Sequence, residues 1–118
     1  MASAMGEGIL SNNNIVPPIF IVDDEDVIVL ASVAKAENWI EPVDVKLGGF
    51  VAFDAEGRLL RFNATHWRVT VTAAELEVTH ASQLEAALRA YLVASHEEIG
   101  ADSTCDLPCL VEACRKFM

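Results

Sequence analysis

The order of apolar and polar positions along this chain predicts strands in its first part and helices in its last. Two continuous apolar runs, Ile19–Val22 and Val27–Leu30, flank the acidic run Asp23–Asp26. Consecutive carboxylates repel one another and resist burial, so the pattern predicts a hairpin with the acids at its turn. Neither apolar run alternates with polar residues, and we therefore expect both strands to be covered on both faces.

A short helix and an antiparallel meander are predicted in the middle of the chain. Ser32 is a suitable N-cap for the helix, and Pro42 is expected to end it, because the residue before a proline disfavours helix. The meander consists of a strand over Gly49–Phe53, a turn over Asp54–Gly57 and a return strand over Arg58–Asn63.

The next strand shows the clearest alternation in the sequence. Its two faces are Trp67, Val69 and Val71 on one side and Arg68, Thr70 and Thr72 on the other. Trp67 is therefore expected in the core. Continuation of this strand over Leu76 and Val78, past a bulge at Ala73-Ala74, would add to the sheet.

Two helices are predicted in the last third of the chain. Ser82 and Glu85 have the spacing of a capping box at the start of the first helix. The apolar stripe of that helix comprises Leu84, Ala87, Leu88, Tyr91 and Leu92. Asp106 is expected to cap the second helix, with Pro108 in its first turn. The buried face of the second helix comprises Leu107, Leu110, Val111 and Cys114.

Together these elements predict an α+β fold with a five- or six-stranded, mainly antiparallel sheet. An N-terminal hairpin, a short helix and the central meander come first, and the two C-terminal helices pack on one face of the sheet. Residues 17–118 are expected to form a single domain, because domains commonly contain about 100–150 residues. Residues 1–16, which include Gly, Ser and three successive Asn, are expected to form a flexible N-terminal arm.

Charge is the feature that bears most directly on function. The chain carries a formal net charge of −10, and residues 1–57 contain ten acids against two bases. Such a field attracts basic protein surfaces and repels nucleic acid and anionic membranes. We therefore expect a basic protein partner, no nucleic acid and no membrane. The candidate partner-binding residues are Asp23, Asp24, Glu25, Asp26, Glu41, Asp44, Asp54 and Glu56.

A group of basic residues supports a different interpretation. Arg58, Arg61, His66 and Arg68 lie on or beside neighbouring predicted strands and would form a pocket for a phosphate or carboxylate. A small-molecule-binding protein or a hydrolase would use such a pocket. The competing interpretation is an exposed sheet face on which these bases pair across strands with acids, namely Glu56, Glu75 or Glu77.

The three cysteines predict neither a metal site nor a disulfide framework. They are odd in number and all follow residue 104, with Cys114 on the apolar stripe of the last helix. We interpret them as reduced thiols of a cytoplasmic protein, with Cys114 buried and no function for Cys105 or Cys109. The sequence contains no phosphate-binding glycine motif, calcium loop or nucleophile motif, so we expect no cofactor and no enzymatic activity.

Two stretches resemble known proteins. Residues Glu41–Val45 and Phe53–Phe62 are similar to segments of small uncharacterised bacterial α+β proteins. Some of those proteins resemble the immunity partners of polymorphic toxins in size, acidity and fold class. The resemblance implies a non-enzymatic protein that neutralises a basic toxin, and it carries over no functional residue. A homodimer is expected as readily as a monomer, because an uncovered edge of the apolar N-terminal strands would pair with a second copy.

Overall fold

A five-stranded sheet lies at the centre of the computed structural model, which describes residues 14–24, 26–75 and 77–118. Its strands are β1 (Ile19–Asp23), β2 (Asp26–Leu30), β3 (Val51–Phe53), β4 (Leu59–Ala64) and β5 (Val69–Ala73). They lie in the order β2-β1-β3-β4-β5, and every neighbouring pair is antiparallel. The predicted hairpin and meander are therefore confirmed, as is the α+β class.

Within the described residues, four α-helices accompany the sheet. They are α1 (Val33–Trp39), α2 (Pro42–Leu47), α3 (Ala81–Ala94) and α4 (Leu107–Cys114). Short 3₁₀ turns at Glu98–Ala101 and Arg115–Phe117 follow α3 and α4. No helix in this part of the chain combines the length and the apolar character that crossing a membrane requires.

Helices cover both faces of the sheet. Phe20 and Phe53 belong to one core, with α3 and α4 on its helical side, as predicted for these two helices. The helical residues buried in this core are Leu84, Leu88, Leu92, Leu110, Val111 and Cys114. Ile21 and Val71 belong to a second core on the opposite face, together with Ala36 of α1. Successive side chains of a strand point to opposite faces, so the uninterrupted apolar runs of β1 and β2 supply both cores.

The helix α1 contacts both edge strands of the sheet, β2 and β5. Ser32 caps it as predicted, with its hydroxyl accepting the Lys35 N–H at 3.1 Å. On β5, the Glu37 carboxylate accepts the Val71 backbone N–H at 2.8 Å. Side chains that occupy edge donors prevent a sheet from pairing with another chain. Glu37 therefore protects this edge at Val71.

Two residues of the other edge strand, β2, are buried within a single chain. Val27 and Val29 are 6% and 4% exposed, although their strand lies at the edge of the sheet. An uncovered apolar edge at the N-terminal strands was the physical reason for expecting a homodimer. At these two residues that reason is absent, because elements of the same chain cover them.

Pro42 lies between two helices and is the first residue of the second. The helix α1 ends at Trp39, as the position of Pro42 predicts, but Pro42 then occupies the first turn of α2. Proline is favoured there because its missing N–H has no partner inside the helix in any case. Gly48 follows as the C-cap, with a positive φ of 71°. The helix α2 was not predicted from the sequence, and it contributes to the candidate site described below.

The prediction that Trp67 belongs to the core is wrong. The strand β5 begins only at Val69, and His66 and Trp67 form the tip of the β4–β5 turn, which the Thr65 N–H closes on the Arg68 carbonyl at 2.9 Å. Trp67 is 70% exposed. Strand alternation fixes the direction of a side chain only inside the ladder, so the pattern that placed Val69 and Val71 correctly does not extend to a turn residue.

The predicted continuation of this strand is also wrong where the structure describes it. The strand β5 ends at Ala73, and Val78 lies outside any strand and is 39% exposed. Leu76 lies outside the described residues. The Ala74 N–H still bonds the Leu59 carbonyl at 2.8 Å, so the ladder with β4 ends there without a bulge into a further strand.

The start of α3 differs from the predicted capping box. The helix begins at Ala81 with His80 as its N-cap, and neither His80 nor another side chain caps it. The His80 N–H bonds the Gly57 carbonyl at 3.1 Å. A Cβ on Gly57 would lie 2.4 Å from the Ala81 Cα, so the β3–β4 turn packs directly on the first residue of the helix. This contact fixes the helix start ahead of Ser82.

The start of α4 corrects the interpretation of the cysteines. Asp106 caps this helix as predicted, accepting the Cys109 N–H at 3.2 Å. Cys105 and Cys109 form a disulfide, so the expectation of reduced thiols is wrong for this pair. Their Cα atoms are 5.3 Å apart, a separation that the turn into the helix provides. Cys114 is buried and free, as predicted, and burial raises the pKa of its thiol to about 11.

The last three residues of the predicted N-terminal arm belong to the fold. Ile15 is buried in the second core, and the Val16 N–H donates to the Asp54 carboxylate at 3.1 Å. The Arg58 side chain donates to the Asn14 carbonyl. Residues 1–13 of the predicted arm lie outside the described residues.

Candidate partner-binding surface

The candidate acids are divided between the two ends of the sheet. Val22 pairs with Val51 and Ala64 with Val69, so the β1–β2 turn, the segment before β3 and the β4–β5 turn lie at one end, which we call the hairpin end. The turn Asp54–Gly57 lies at the opposite end, which we call the Asp54 end. Each end places its acids in a different environment.

Asp54 is a structural residue and not a contact for a partner. It is fully buried, and its carboxylate accepts the backbone N–H groups of Val16, Glu56 and Arg58 at 3.1, 3.0 and 2.9 Å. The Arg58 guanidinium lies 2.7 Å from the same carboxylate. Burial removes Asp54 from the set of predicted partner contacts. Glu56, in the same turn, is exposed and lies 3.6 Å from the Arg58 guanidinium.

The acids of the hairpin end are exposed. Among the described residues, the carboxylates of this group form no ion pair and no hydrogen bond: Asp23, Asp24, Asp26, Glu41 and Asp44. Glu25, the remaining acid of the β1–β2 turn, lies outside the described residues. Because no cation in the described part of the chain pairs with them, these carboxylates are available to a basic partner.

Large apolar side chains are exposed beside these acids. Trp39 at the end of α1 is 50% exposed, Val43 and Leu47 of α2 are 55% and 78% exposed, and Trp67 is 70% exposed. Single exposed apolar residues are ordinary, but a group of them bordered by polar residues marks an interaction site. Tryptophan in particular contributes a large share of the binding energy at protein interfaces.

Two clefts organise this surface, and α1 and α2 contribute to both. The first, the Trp39 cleft, has a volume of about 280 Å³ and is lined by Ile21, Asp23, Ile28, Trp39, Ile40, Asp44, Leu47, Gly48 and Phe50. The second, the Trp67 cleft, has a volume of about 420 Å³ and is lined by Glu37, Asn38, Ile40, Glu41, Pro42, Trp67, Arg68 and Val69. Ile40 lies in both clefts, so they are neighbours on one surface.

The acidic run at the hairpin turn faces two directions. Asp23 lines the Trp39 cleft, whereas Asp24 lines a different groove, together with Val22, Val27 and the small residues of α3. Asp24 has a positive φ of 57°, which turns the chain at this point. Asp23 and Asp24 are therefore not equivalent, although they are neighbours in the sequence.

The structure does not bring the four residues of the alternative pocket together. Arg58 is bound to Asp54 at one end of β4, and His66 and Arg68 are exposed beyond its other end. The length of β4 separates them by about 20 Å at the usual rise per residue. Arg61 is exposed on β4 and lines a concavity distinct from the Trp67 cleft of Arg68. A shared His/Arg pocket therefore does not form.

One cluster of titratable side chains could be mistaken for a nucleophile site. The Thr79 hydroxyl donates to the Glu75 carboxylate at 2.5 Å and lies 3.0 Å from Nδ1 of His80. The Glu75 carboxylate is 3.4 Å from the same ring nitrogen. In a catalytic triad the carboxylate orients the histidine through its other nitrogen. Here Glu75 binds the hydroxyl itself, so the arrangement does not activate Thr79.

The remaining large concavity lies on the outer face of α3. It measures about 770 Å³ and is lined mainly by small residues: Ser82, Ala86, Ala90, Val93, Ala94 and Gly100. Its two charged groups, Glu85 and Arg89, pair with each other at 3.2 Å, and Arg89 also donates to the carbonyl of Cys105. Within the described residues, no three His, Cys, Asp or Glu side chains come together as a metal site would require.

No family model, curated protein or solved structure matches this chain. The resemblance to immunity proteins therefore stays a prediction from the sequence.

Sequence reasoning found the acids of this surface but not its apolar half. It assigned Trp67 to the core and did not consider Trp39, Val43 or Leu47 as contacts. One signal in the sequence would have indicated α2. Pro42 stands at the first helical position, Asp44 lies in the first turn, and two glycines follow the last helical residue. That order is typical of a short helix. From a helix over residues 42–47 one could have predicted that its apolar residues are exposed beside the acids.

Proposed function

We propose that this chain is a non-enzymatic protein-binding domain that binds a basic protein partner at the hairpin end of its sheet. One observation supports this proposal more than any other. Exposed tryptophans, Trp39 and Trp67, share two neighbouring clefts with the unpaired carboxylates of Asp23, Glu41 and Asp44. This is the composition of a protein interface, with aromatic anchors at the centre and a polar rim.

The charges and the anchors have separate tasks in this proposal. Exposed carboxylates on a chain of net charge −10 accelerate the encounter with a cationic partner. The tryptophans then retain the partner, because burying aromatic surface slows dissociation. The second core lies beneath the Trp39 cleft, because Ile21, Ile28 and Phe50 contribute to both. The domain therefore offers a preorganised platform, which lowers the entropic cost of binding.

The specific form of the proposal is an immunity protein that covers the substrate cleft of a basic toxin. Support comes from the acidic surface and from the resemblance of Glu41–Val45 and Phe53–Phe62 to segments of small bacterial α+β proteins, some of which resemble immunity proteins in size, acidity and fold class. A toxin that acts on an anionic substrate needs a cationic cleft, and an acidic domain is the electrostatic complement of that cleft.

Under this proposal the protein acts in the cytoplasm. The Cys105–Cys109 disulfide is the feature that weighs against it, because disulfides persist mainly in oxidising compartments. Alkylation of thiols in intact cells, followed by mass spectrometry, tests this point. Alkylated Cys105 and Cys109 agree with the cytoplasm, and a protected pair indicates an oxidising compartment.

Calorimetric titration with the purified products of the genes that flank the gene of this chain tests the function, and the proposal expects a basic toxin-like domain among them. We expect Trp39→Ala and Trp67→Ala each to weaken binding at least tenfold, as hot-spot residues do. Val93→Ala is the matched control, because Val93 is 52% exposed but lies on α3, away from both clefts. Wild-type affinity in both tryptophan variants would contradict the proposed surface.

A further inference from the structure

We propose that the Trp39 cleft receives one arginine side chain of the partner. This inference rests on the proposed function and names the chemistry that the site recognises. The cleft combines an apolar floor, an exposed tryptophan and two carboxylates that come from different elements, and this combination is the one that a guanidinium on an alkyl stem requires.

The floor of the cleft is apolar and small. Ile21 and Ile28 supply it from β1 and β2, and Ile40 supplies it from the α1–α2 junction. Leu47, from the last turn of α2, also lines the cleft but is exposed. The cleft volume of about 280 Å³ lies at the lower limit of the range in which proteins bind drug-sized ligands, about 300–1,000 Å³. The space therefore suits one side chain better than a whole small molecule.

The two carboxylates at the cleft belong to separate parts of the chain. Asp23 ends β1 and Asp44 lies in the first turn of α2, yet both line the same cleft. Both are exposed, and within the described residues neither has an ion pair or a hydrogen bond at its carboxylate. A cation between them would be neutralised from two sides without displacing any existing partner.

Arginine fits these walls better than lysine does. Its methylene stem packs on apolar surface, and its planar guanidinium offers several N–H donors in fixed directions, which can serve two carboxylates at once. The guanidinium also stacks on aromatic faces, and Trp39 lines this cleft at 50% exposure. Lysine offers a compact point charge without the planar face.

The neighbouring Trp67 cleft does not offer the same site. Its Glu37 carboxylate already accepts the Val71 N–H, and the chain places its own cation, Arg68, in the lining. Glu41 is its only other acid. The Trp67 cleft therefore has two carboxylates and one guanidinium in its lining, whereas the Trp39 cleft has two carboxylates and no base. A partner cation is attracted more weakly to the Trp67 cleft, so the Trp39 cleft provides the charge-specific contact.

The direct test uses n-butylguanidinium, which reproduces the end of an arginine side chain, and the full protein labelled with nitrogen-15. We expect saturable shifts of the Trp39 indole N–H and of the Gly48 backbone amide in NMR titrations. The neutral probe n-butylurea, which has the same alkyl stem and a planar end group of the same size, should bind at least fivefold more weakly, because it carries no positive charge to pair with the carboxylates. n-Butylammonium should lie between the two.

A pair of variants assigns the charge effect to the cleft. Asp44→Asn removes one carboxylate with little change of shape and should weaken n-butylguanidinium binding about fivefold, the upper range for an exposed ion pair. Glu77→Gln removes the same charge from an exposed acid that lines neither cleft, so binding should be unchanged. Circular dichroism confirms that both variants are folded.

Three results would overturn the inference: equal binding of n-butylguanidinium and n-butylurea, tighter binding of n-butylammonium than of n-butylguanidinium, or equal effects of Asp44→Asn and Glu77→Gln. Each of them leaves the proposed function standing if Trp67→Ala still weakens binding of the toxin-like domain. Conversely, if the protein binds n-butylguanidinium at this cleft but binds no basic partner, the proposed function is wrong and the inference about the cleft stands.

Discussion

Asp54 and Asp44 lie at opposite ends of the sheet and experience opposite environments. Asp54 is fully buried and accepts three backbone N–H groups and a guanidinium, whereas Asp44 is exposed, with no bond to its carboxylate among the described residues. An aspartate stabilises the fold at one end of the sheet, and another aspartate is available to a partner at the other end. The difference depends on whether nearby backbone and side-chain donors converge on the carboxylate.

The largest effect is expected from Asp54→Ala at the Asp54 end. The substitution leaves the Arg58 guanidinium and three backbone N–H groups without their acceptor, so we expect a loss of about 3–5 kcal/mol in the free energy of unfolding. Urea denaturation measures it. Glu56→Gln is the control, because Glu56 is an exposed partner of the same Arg58, and we expect a change below about 0.5 kcal/mol. A loss below about 1 kcal/mol for Asp54→Ala would show that the carboxylates at the two ends of the sheet do not differ in their contribution to stability.

A second large effect is expected from Gly57→Ala in the same turn. Gly57 has a positive φ of 91°, and a Cβ there would lie 2.4 Å from the Ala81 Cα. Strain and overlap together should cost about 3 kcal/mol. Gly48→Ala at the hairpin end is the matched control, since Gly48 also has a positive φ, of 71°, but no atom within 4 Å of the added Cβ.

We expect a cost of about 1 kcal/mol for Gly48→Ala, because only backbone strain applies there. Equal losses in the two glycine variants, measured by urea denaturation, would mean that the Asp54 end is not packed as tightly as the structure indicates.

A moderate effect is expected at a third place, the start of α4. Replacing Cys105 and Cys109 together by alanine removes the disulfide that closes a short loop, and loop-closure entropy predicts a loss of about 2 kcal/mol. The measurement compares thermal unfolding of the variant with that of the oxidised wild type. Unchanged stability would restore the interpretation of this pair from the sequence, in which neither cysteine matters to the fold.

The smallest effect on stability is expected at the hairpin end itself. Trp39→Ala and Trp67→Ala remove side chains that are 50% and 70% exposed, so each should change the free energy of unfolding by less than about 1 kcal/mol. Leu88→Ala, in the core, should cost about 2–5 kcal/mol by comparison. A loss of about 2–5 kcal/mol in either tryptophan variant would show that the tryptophan stabilises the fold. Its exposure would then no longer indicate a contact with a partner.

The sequence predicts the fold well wherever local chemistry decides it. Both apolar runs of the hairpin, the Ser32 and Asp106 caps and the turn at Asp54 all follow from neighbouring residues, and all are present. The start of α3 could not be predicted in this way, because the packing of Gly57 on Ala81 depends on residues far apart in sequence.

The candidate site was only half predictable for the same reason. Exposed acids are visible in the sequence, but burial of Asp54 depends on donors from Val16 and Arg58, which only the folded chain brings together. Trp67 shares an alternating pattern with Val69 and Val71, and only the position of the turn separates it from them. Exposure of an individual side chain is therefore a tertiary property.

The central claim, that the hairpin end attracts a basic partner, is tested most directly by the rate of association. Stopped-flow measurements over a salt series would compare wild type with two triple variants of equal net charge. One neutralises the hairpin end, with Asp23→Asn, Glu41→Gln and Asp44→Asn. The other neutralises exposed acids elsewhere, with Glu56→Gln, Glu77→Gln and Glu112→Gln.

With the basic toxin-like domain as partner, the hairpin-end variant should associate about tenfold more slowly at low salt and show a flatter salt dependence. The control variant should change the rate much less, because steering depends on where the charges lie and not only on their sum. Dissociation should change little with salt. Equal association rates and equal salt slopes in the two variants would contradict the claim, because net charge alone would then explain the encounter.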